Sequence, residues 1–131
     1  MRVFVDTNVL LDMICQREGF KEDADTIFRY CIEDKLKIVM SALTLINANY
    51  GYSWDELLEV LKRICGYVEI STIDDGIFMN ALYSNSSDLE DAVQYYSAKM
   101  SGADYIITRD VKGFVNSTIT VLTPKDFLSV L

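Results

Sequence analysis

Three aspartates that are far apart in the sequence occupy positions where acidic side chains can do chemistry. Asp6 ends a short apolar segment, Asp91 lies in the first turn of a helical segment, and Asp110 follows another apolar segment. Carboxylates that are brought together repel one another and resist ionising unless a cation neutralises them. Oxygen ligands of this kind select hard cations such as Mg²⁺, Mn²⁺ or Ca²⁺. If the fold gathers the three, the sequence predicts a divalent-metal site.

The elements that must position these aspartates follow from the hydrophobic pattern. Short apolar runs predict strands at 2–5, 36–40, 67–70, 104–108 and 119–122, and helical periodicity predicts helices at 9–14, 21–33, 41–50, 53–64, 74–83 and 87–101, with a last helix from Pro124. Short apolar strands separated by helices indicate an α/β fold, with a parallel sheet covered on both faces. Ligands of such sheets bind beyond the carboxyl ends of the strands, where Asp6 and Asp110 lie.

Composition limits the class of protein. The 131 residues predict one domain, 1–131, with one core. Because the chain has no histidine, Ser-His and Cys-His hydrolases and the usual catalytic zinc sites are excluded. The net charge of −8 disfavours nucleic acid by itself, but a bound cation would reverse the local sign where a phosphate would lie.

Cellular location is predicted from the segments that the sequence lacks. It contains neither a signal-like leader nor an apolar run of the roughly 18 residues that a membrane helix needs, so the cytoplasm is expected and no membrane is involved. The cysteines, Cys15, Cys31 and Cys65, are odd in number and widely spaced, which predicts buried reduced thiols.

Three motifs that surround the aspartates occur in a characteristic order. They are V-D-T-N-V-L-L-D at 5–12, E-D-A at 90–92 and A-D-Y-I-I-T-R-D at 103–110. Together they resemble PIN-domain nucleases, particularly the short VapC-like toxin ribonucleases of bacterial toxin–antitoxin systems. The resemblance spans the whole chain. It implies a PIN-like three-layer sandwich with a parallel sheet ordered 3-2-1-4-5, and metal-dependent cleavage of RNA with Mg²⁺ or Mn²⁺ as cofactor.

The resemblance also implies roles for individual residues. Asp6, Asp91 and Asp110 match acidic residues that hold the metal and carry catalysis. Thr108 matches a hydroxyl residue beside the last aspartate, and Asn8 matches a small polar residue that positions the first. An ion held by the aspartates would activate water for in-line attack on a phosphodiester and leave a 5′-phosphate and a 3′-hydroxyl.

The chain departs from the family pattern at Asn47. The family usually has a glutamate there, and an amide oxygen can coordinate a cation but contributes no charge. Glu90, which precedes Asp91, is a candidate to compensate. It is also a candidate for a capping box with Ser87, in which the serine bonds the amide three residues on and the glutamate reaches back.

The expected partners are an RNA substrate, a small antitoxin protein and a second copy of the chain. The antitoxin would place an Arg or Lys side chain in the acidic pocket. Arg109 and Lys112 flank Asp110 and either contact RNA phosphates or are ordinary exposed residues.

Structural roles compete with these functional interpretations. Asp6 and Asp91 can stabilise the first turns of helices, and Asp110 can begin a turn. Asp12 is expected on a solvated face. Tyr95 and Tyr96 suggest base stacking, but core or dimer packing is favoured for aromatic residues in a helical stripe.

Two other functions remain open. A PIN-like domain that has lost catalysis would act as a binding or oligomerisation module, which Asn47 and the acidic surface favour. A receiver-like phosphoacceptor also carries aspartates at strand ends, but the matching aspartate and lysine positions are not found.

Overall fold

The computed structural model describes the backbone of residues 1–131 and the side-chain surroundings of residues 1–49 and 52–131. The strands are β1 (Arg2–Val5), β2 (Lys37–Ser41), β3 (Glu69–Ser71), β4 (Tyr105–Ile107) and β5 (Thr120–Leu122). The helices are α1 (Thr7–Ile14), α2 (Lys21–Ile32), α3 (Ala42–Asn47), α4 (Trp54–Ile64), α5 (Asp75–Leu82), α6 (Leu89–Met100) and α7 (Pro124–Val130), with 3₁₀ turns at Ala48–Gly51 and Val111–Phe114.

The five strands form one parallel sheet in the order β3-β2-β1-β4-β5, which confirms the predicted α/β architecture and strand order. In the central pair, Val5 lies opposite Ile107, so β1 and β4 end at the same level. Ser41 ends β2, which is the other neighbour of β1. The carboxyl ends of three adjacent strands therefore meet at one edge of the sheet.

Alternation of side chains along each strand builds a core on both faces of the sheet. Val3 and Val5 point to one face, where they pack with residues of α1, α2, α4 and α7. Phe4 points to the other face and packs with Ala98 of α6 and with Phe114. Two helical layers therefore enclose the sheet, as in the predicted three-layer sandwich.

Helix caps explain most of the helix boundaries. Ser41 caps α3 by accepting a hydrogen bond from the Thr44 amide, and Thr123 caps α7, where Pro124 is the first helical residue as predicted. The capping box expected at 87–90 is wrong. Asp88 is the N-cap residue of α6 and its side chain accepts from the Asp91 amide at 3.0 Å. The helix therefore begins at Leu89, and the Glu90 side chain is available elsewhere.

Two expectations about burial need correction. Asp12 is fully buried rather than on a solvated face, because two arginines neutralise its charge inside the protein. All three thiols are free, as predicted, but only Cys31 is buried, whereas Cys65 is exposed at the C-terminal end of α4. Within the part of the chain that the structure describes, every helix is too short or too polar to span a bilayer.

Candidate functional site

The three predicted site aspartates come from elements that end or begin at the carboxyl edge of the sheet. Asp6 directly follows β1 and also caps α1, since its side chain accepts a hydrogen bond from the Thr7 amide at 2.8 Å. Asp91 lies in the first turn of α6. Asp110 follows β4 and precedes the second 3₁₀ turn. Capping and a place in the site are thus compatible roles for Asp6.

Asp6 is held by side chains from the end of β4 and from α1. The Thr108 hydroxyl donates to Asp6 Oδ2 at 2.9 Å. Asn8 Nδ2 lies 3.1 Å from the Thr108 hydroxyl and 3.5 Å from Asp6 Oδ2. The amide of Asp110 donates in turn to the Thr108 hydroxyl at 3.0 Å. The structure therefore brings together the predicted supporting residues Asn8 and Thr108, and links the backbone at Asp110 to Asp6.

A buried glutamine that the sequence analysis missed holds the other oxygen of Asp6. Gln94 is fully buried, and its Nε2 donates to Asp6 Oδ1 at 3.3 Å and to the Thr44 hydroxyl at 2.8 Å. The Ser41 hydroxyl donates to Gln94 Oε1. The signal in the sequence was the spacing: Gln94 lies three residues after Asp91 and therefore on the same face of α6.

Asp91 and Asp110 approach each other across Gly113, which lies in the 3₁₀ turn after Asp110. A Cβ atom at Gly113 would lie 2.7 Å from Asp91 Oδ2 and 3.2 Å from Asp110 Oδ2. Contacts this short are not tolerated, so a side chain here would displace Asp91. The close approach of two carboxylates to this backbone therefore requires glycine.

Asn47 and Glu90 form a pair across the site. Asn47 Nδ2, at the end of α3, donates to Glu90 Oε1 at 2.8 Å. The position where the family pattern has a glutamate is thus occupied by an amide that binds a carboxylate from the facing helix. The negative charge is still present near this position, but α6 supplies it instead of α3.

Arg109 and Lys112 differ in their surroundings. Arg109 Nε and Nη2 donate to the two carboxylate oxygens of Asp12 at 2.7 and 2.9 Å, and the guanidinium lies over the Phe20 ring at 4.0 Å. This ion pair therefore engages the Arg109 guanidinium with α1. Lys112 is exposed and has no acidic partner among the described side chains.

Several carboxylates of the site have raised pKa values. Partial burial raises the pKa of Asp6, although hydrogen bonds from Thr108, Thr7 and Gln94 oppose the shift. Burial, with Asp88 and Asp6 nearby, raises the pKa of Asp91 to about 6. The same causes raise the pKa of Glu90. Asp6, Glu90 and Asp91 are therefore harder to ionise, first because they are partly buried and second because other carboxylates are close.

The candidate metal ligands have the chemistry that a hard divalent cation prefers. Among residues 1–49 and 52–131, no Lys or Arg forms a salt bridge with Asp6, Glu90, Asp91 or Asp110. All the candidate ligand atoms are carboxylate oxygens. In the same described part of the chain, no three acidic or thiol side chains already stand close enough to hold an ion. An ion bound here would therefore require these carboxylates to move closer together than the structure places them.

The fold and the arrangement of acids identify the family. The family model of the PIN domain matches residues 2–112, and the chain belongs to this family. It is 28% identical over 134 residues to Ribonuclease VapC1 of Aquifex aeolicus, a match that covers 96% of this chain and 92% of that protein.

Solved structures with the same fold include proteins of toxin–antitoxin systems. A toxin–antitoxin complex from Klebsiella pneumoniae contains a chain that is 20% identical and superimposes with a TM-score of 0.71, covering 93% of this chain and 97% of its own. VapBC-1 from nontypeable Haemophilus influenzae is 17% identical with a TM-score of 0.68, covering 95% and 99%.

Proposed function

We propose that the chain is a metal-dependent endoribonuclease that hydrolyses phosphodiester bonds in RNA, and that it is the toxin of a toxin–antitoxin pair. One observation carries the proposal: acids from β1, α6 and the end of β4 lie at one edge of the sheet without a basic partner among the described side chains. Membership of the PIN domain family and the likeness to a ribonuclease support the reaction type.

The residues proposed to hold the cofactor are Asp6, Asp91 and Asp110. A bound Mg²⁺ or Mn²⁺ supplies a water of lowered pKa and offsets the charge of the scissile phosphate. Thr108 and Asn8 fix the orientation of Asp6, so that this ligand loses little freedom on binding. Asp91 and Asp110 complete the set from the facing side.

The residues proposed to assist are Glu90 and Lys112. Glu90 supplies the fourth negative charge that Asn47 lacks, held in place by the Asn47 amide. Lys112 is exposed two residues after Asp110 and contacts RNA phosphates. Arg109 is not proposed as an RNA contact, because its guanidinium already pairs with Asp12.

The partners proposed are a small antitoxin and a second copy of the chain. Relatives of the same fold occur in toxin–antitoxin complexes, and an acidic site of this kind would accept an Arg or Lys side chain of an inhibitor. The exposed apolar residues Phe78, Met79 and Leu82 of α5 support self-association. Light scattering of the purified chain tests the dimer.

The decisive experiment is cleavage of single-stranded RNA with Mn²⁺ by the wild type and by variants that remove charge but keep shape. Asp91→Asn and Asp110→Asn should each lower the rate by at least about a hundredfold, the typical scale for losing a group that acts in the transition state. Asp55→Asn, on the exposed first turn of α4, is the matched control and should be unaffected. Circular dichroism checks the fold of each variant.

Activity should disappear with EDTA and return with Mn²⁺. Cleavage that is unchanged in Asp110→Asn would mean that a contaminating nuclease or another site is responsible. The alternative function is a PIN domain that binds without cutting. Asn47 favours it, as does the finding that no three acidic or thiol side chains in the described part of the chain lie close enough together to hold an ion. Saturable Mn²⁺ binding by a protein that cleaves no RNA would establish that alternative.

A further inference from the structure

A cavity of about 410 Å³ opens beside the carboxylates, between the start of α6, the loop before it and the segment after Asp110. Asp91 and Gly113 line it, and they also form part of the candidate active site. Its volume falls within the range of roughly 300 to 1,000 Å³ that is usual for small-molecule sites. The cavity and the acidic site are therefore continuous.

Aromatic rings form one side of this cavity. Tyr95, Tyr96 and Phe114 line it, and the two tyrosine rings meet edge to face, with 5.1 Å between their centroids. Tyr95 is fixed by a hydrogen bond of 2.8 Å between its hydroxyl and that of Thr118. Tyr96 packs against the apolar cluster between α5 and α6. The expected core packing of both tyrosines is thus confirmed, but each side chain is only partly buried.

Polar groups form the rim. Asn85 and Asn116, one on each side of the opening, are exposed, and each amide group can donate and accept hydrogen bonds. Ser86 and Ser87 add hydroxyls, and Lys112 supplies a cationic charge on the side of the acidic site. A site for a free anion would need more positive charge than one lysine beside Asp91.

We propose that this cavity binds the nucleobase next to the scissile phosphate of a single-stranded RNA. The proposal rests on the proposed function and names how that site selects its substrate. A neutral, flat, heteroaromatic ring matches the aromatic side, and its edge matches the amide groups of Asn85 and Asn116. Proteins recognise single-stranded RNA in this way, by stacking unpaired bases on aromatic residues and bonding their edges.

Substrates with a missing base test the proposal without any protein variant. After the cleavage site of a short RNA is mapped, one set of substrates carries an abasic ribose at either flanking position. Wild-type kcat/KM should fall about tenfold or more when the base is missing on one side, because one base–aromatic stack has about this effect. Equal cleavage of the abasic and intact substrates would overturn the proposal.

The variant Tyr96→Leu keeps an apolar side chain against the cluster between α5 and α6 but removes the ring. It should lower kcat/KM on intact RNA by a similar factor and leave the abasic substrate unchanged. A parallel loss on both substrates would show that Tyr96 acts only through packing. Tyr83→Leu is the matched control, since Tyr83 is 76% exposed and does not line the cavity.

A binding measurement separates failure of this proposal from failure of the proposed function. Nucleoside 5′-monophosphates, titrated at millimolar concentrations into protein held at constant Mg²⁺, should shift the backbone NMR signals of residues 86, 96 and 113 in the wild type and not in Tyr96→Leu. If no RNA is cleaved but these shifts occur, the ribonuclease assignment fails and the base site stands. The absence of shifts in a protein that cleaves intact and abasic RNA equally would remove the base site alone.

Discussion

Asp6 caps the start of α1 and Asp12 lies in the last turn of that helix, and the two charges have opposite surroundings. Asp12 is fully buried, yet Arg109 and Arg17 neutralise it. Asp6 is only partly buried but has neutral donors as its neighbours, and the nearby charges are other acids. The difference separates a carboxylate used for stability from one left available to a cation. Burial alone does not distinguish the two; the charge of the partners does.

The largest expected effect is on the buried ion pair. Asp12→Asn should lower the free energy of unfolding by about 3 kcal/mol, since removing one partner of a buried pair leaves the other without compensation. The effect lies at the low end because the Arg109 side chain is 29% exposed. Asp6→Asn, measured in EDTA, should cost much less, because relief of repulsion offsets the hydrogen bonds from Thr108 or Gln94 that the amide nitrogen cannot accept. Urea unfolding measures the free energy of unfolding of both variants. Equal losses in the two would contradict the distinction between a carboxylate used for stability and one left available to a cation.

A cation should reverse the behaviour of Asp6. An ion that binds only the folded protein raises the free energy of unfolding by about 2.7 kcal/mol at a hundredfold excess over Kd. We expect this rise with Mn²⁺ in the wild type and its near absence in Asp6→Asn. Thermal unfolding with increasing Mn²⁺ measures it, with Asp55→Asn as the control. An equal rise in wild type and Asp6→Asn would place the ion elsewhere.

The pH dependence of stability should report the unneutralised acids. The pKa of Asp91 is raised to about 6 in the folded protein, above its ordinary value of 3.8. Between these values the folded state binds the proton more tightly, so the free energy of unfolding should fall as pH rises through this window. In Asp91→Asn the free energy of unfolding should still fall as pH rises, but less steeply than in the wild type. The remaining fall comes from Asp6 and Glu90, whose pKa values are raised as well. Urea unfolding in EDTA across this range tests the sign.

Gly113 allows a test of how the position of Asp91 affects ion binding. In Gly113→Ala the new Cβ would meet Asp91 Oδ2 at 2.7 Å, so the carboxylate must move away. We expect Mn²⁺ affinity to fall about tenfold, the scale typical of changes around metal ligands. Stability without the ion should change little. Gly66→Ala is the control, because nothing lies within 4 Å of its added Cβ; matching affinities in the two variants would contradict the prediction.

The smallest effects are expected at the pair formed by Asn47 and Glu90. Glu90→Gln should weaken Mn²⁺ binding a few-fold, since it removes charge from the edge of the site. Asn47→Glu should tighten binding slightly, because the added charge attracts the ion while repelling Glu90 when the ion is absent. Calorimetric titration of both variants compares them. No response in either would mean that this pair has no part in ion binding, and would favour the non-catalytic module.

The sequence predicted the architecture because the central strands are short apolar runs followed by polar residues, as in Val5 followed by Asp6. The family resemblance assigned Asn8 to the first aspartate and Thr108 to the last, and the structure places both beside Asp6. Long-range pairing could not be predicted in the same way. Arg109 and Asp12 are 97 residues apart, and no spacing rule shows which arginine meets a buried aspartate.

The capping error has a different physical cause. Ser87 and Asp88 are both good N-cap residues, and the structure uses Asp88. Gln94 and Gly113 were missed because their importance depends on what lies opposite them in space. A glutamine in a helical pattern is expected to be an ordinary surface residue unless the facing side chains are known. A glycine shortly after an aspartate is likewise expected to be only part of a turn.

The bonds that hold Asp6 also set a condition on synthesis of the chain. Thr108, which fixes one carboxylate oxygen, lies 102 residues further on, and Gln94, which holds the other, lies 88 residues further on. Contacts of such high sequence separation form late, because the intervening chain must first be ordered. A nascent polypeptide that has not yet emerged from the ribosome beyond β4 therefore contains Asp6 without Thr108, and one that has not emerged beyond α5 lacks Gln94 as well. Any activity of this site begins only when translation of the domain is nearly finished.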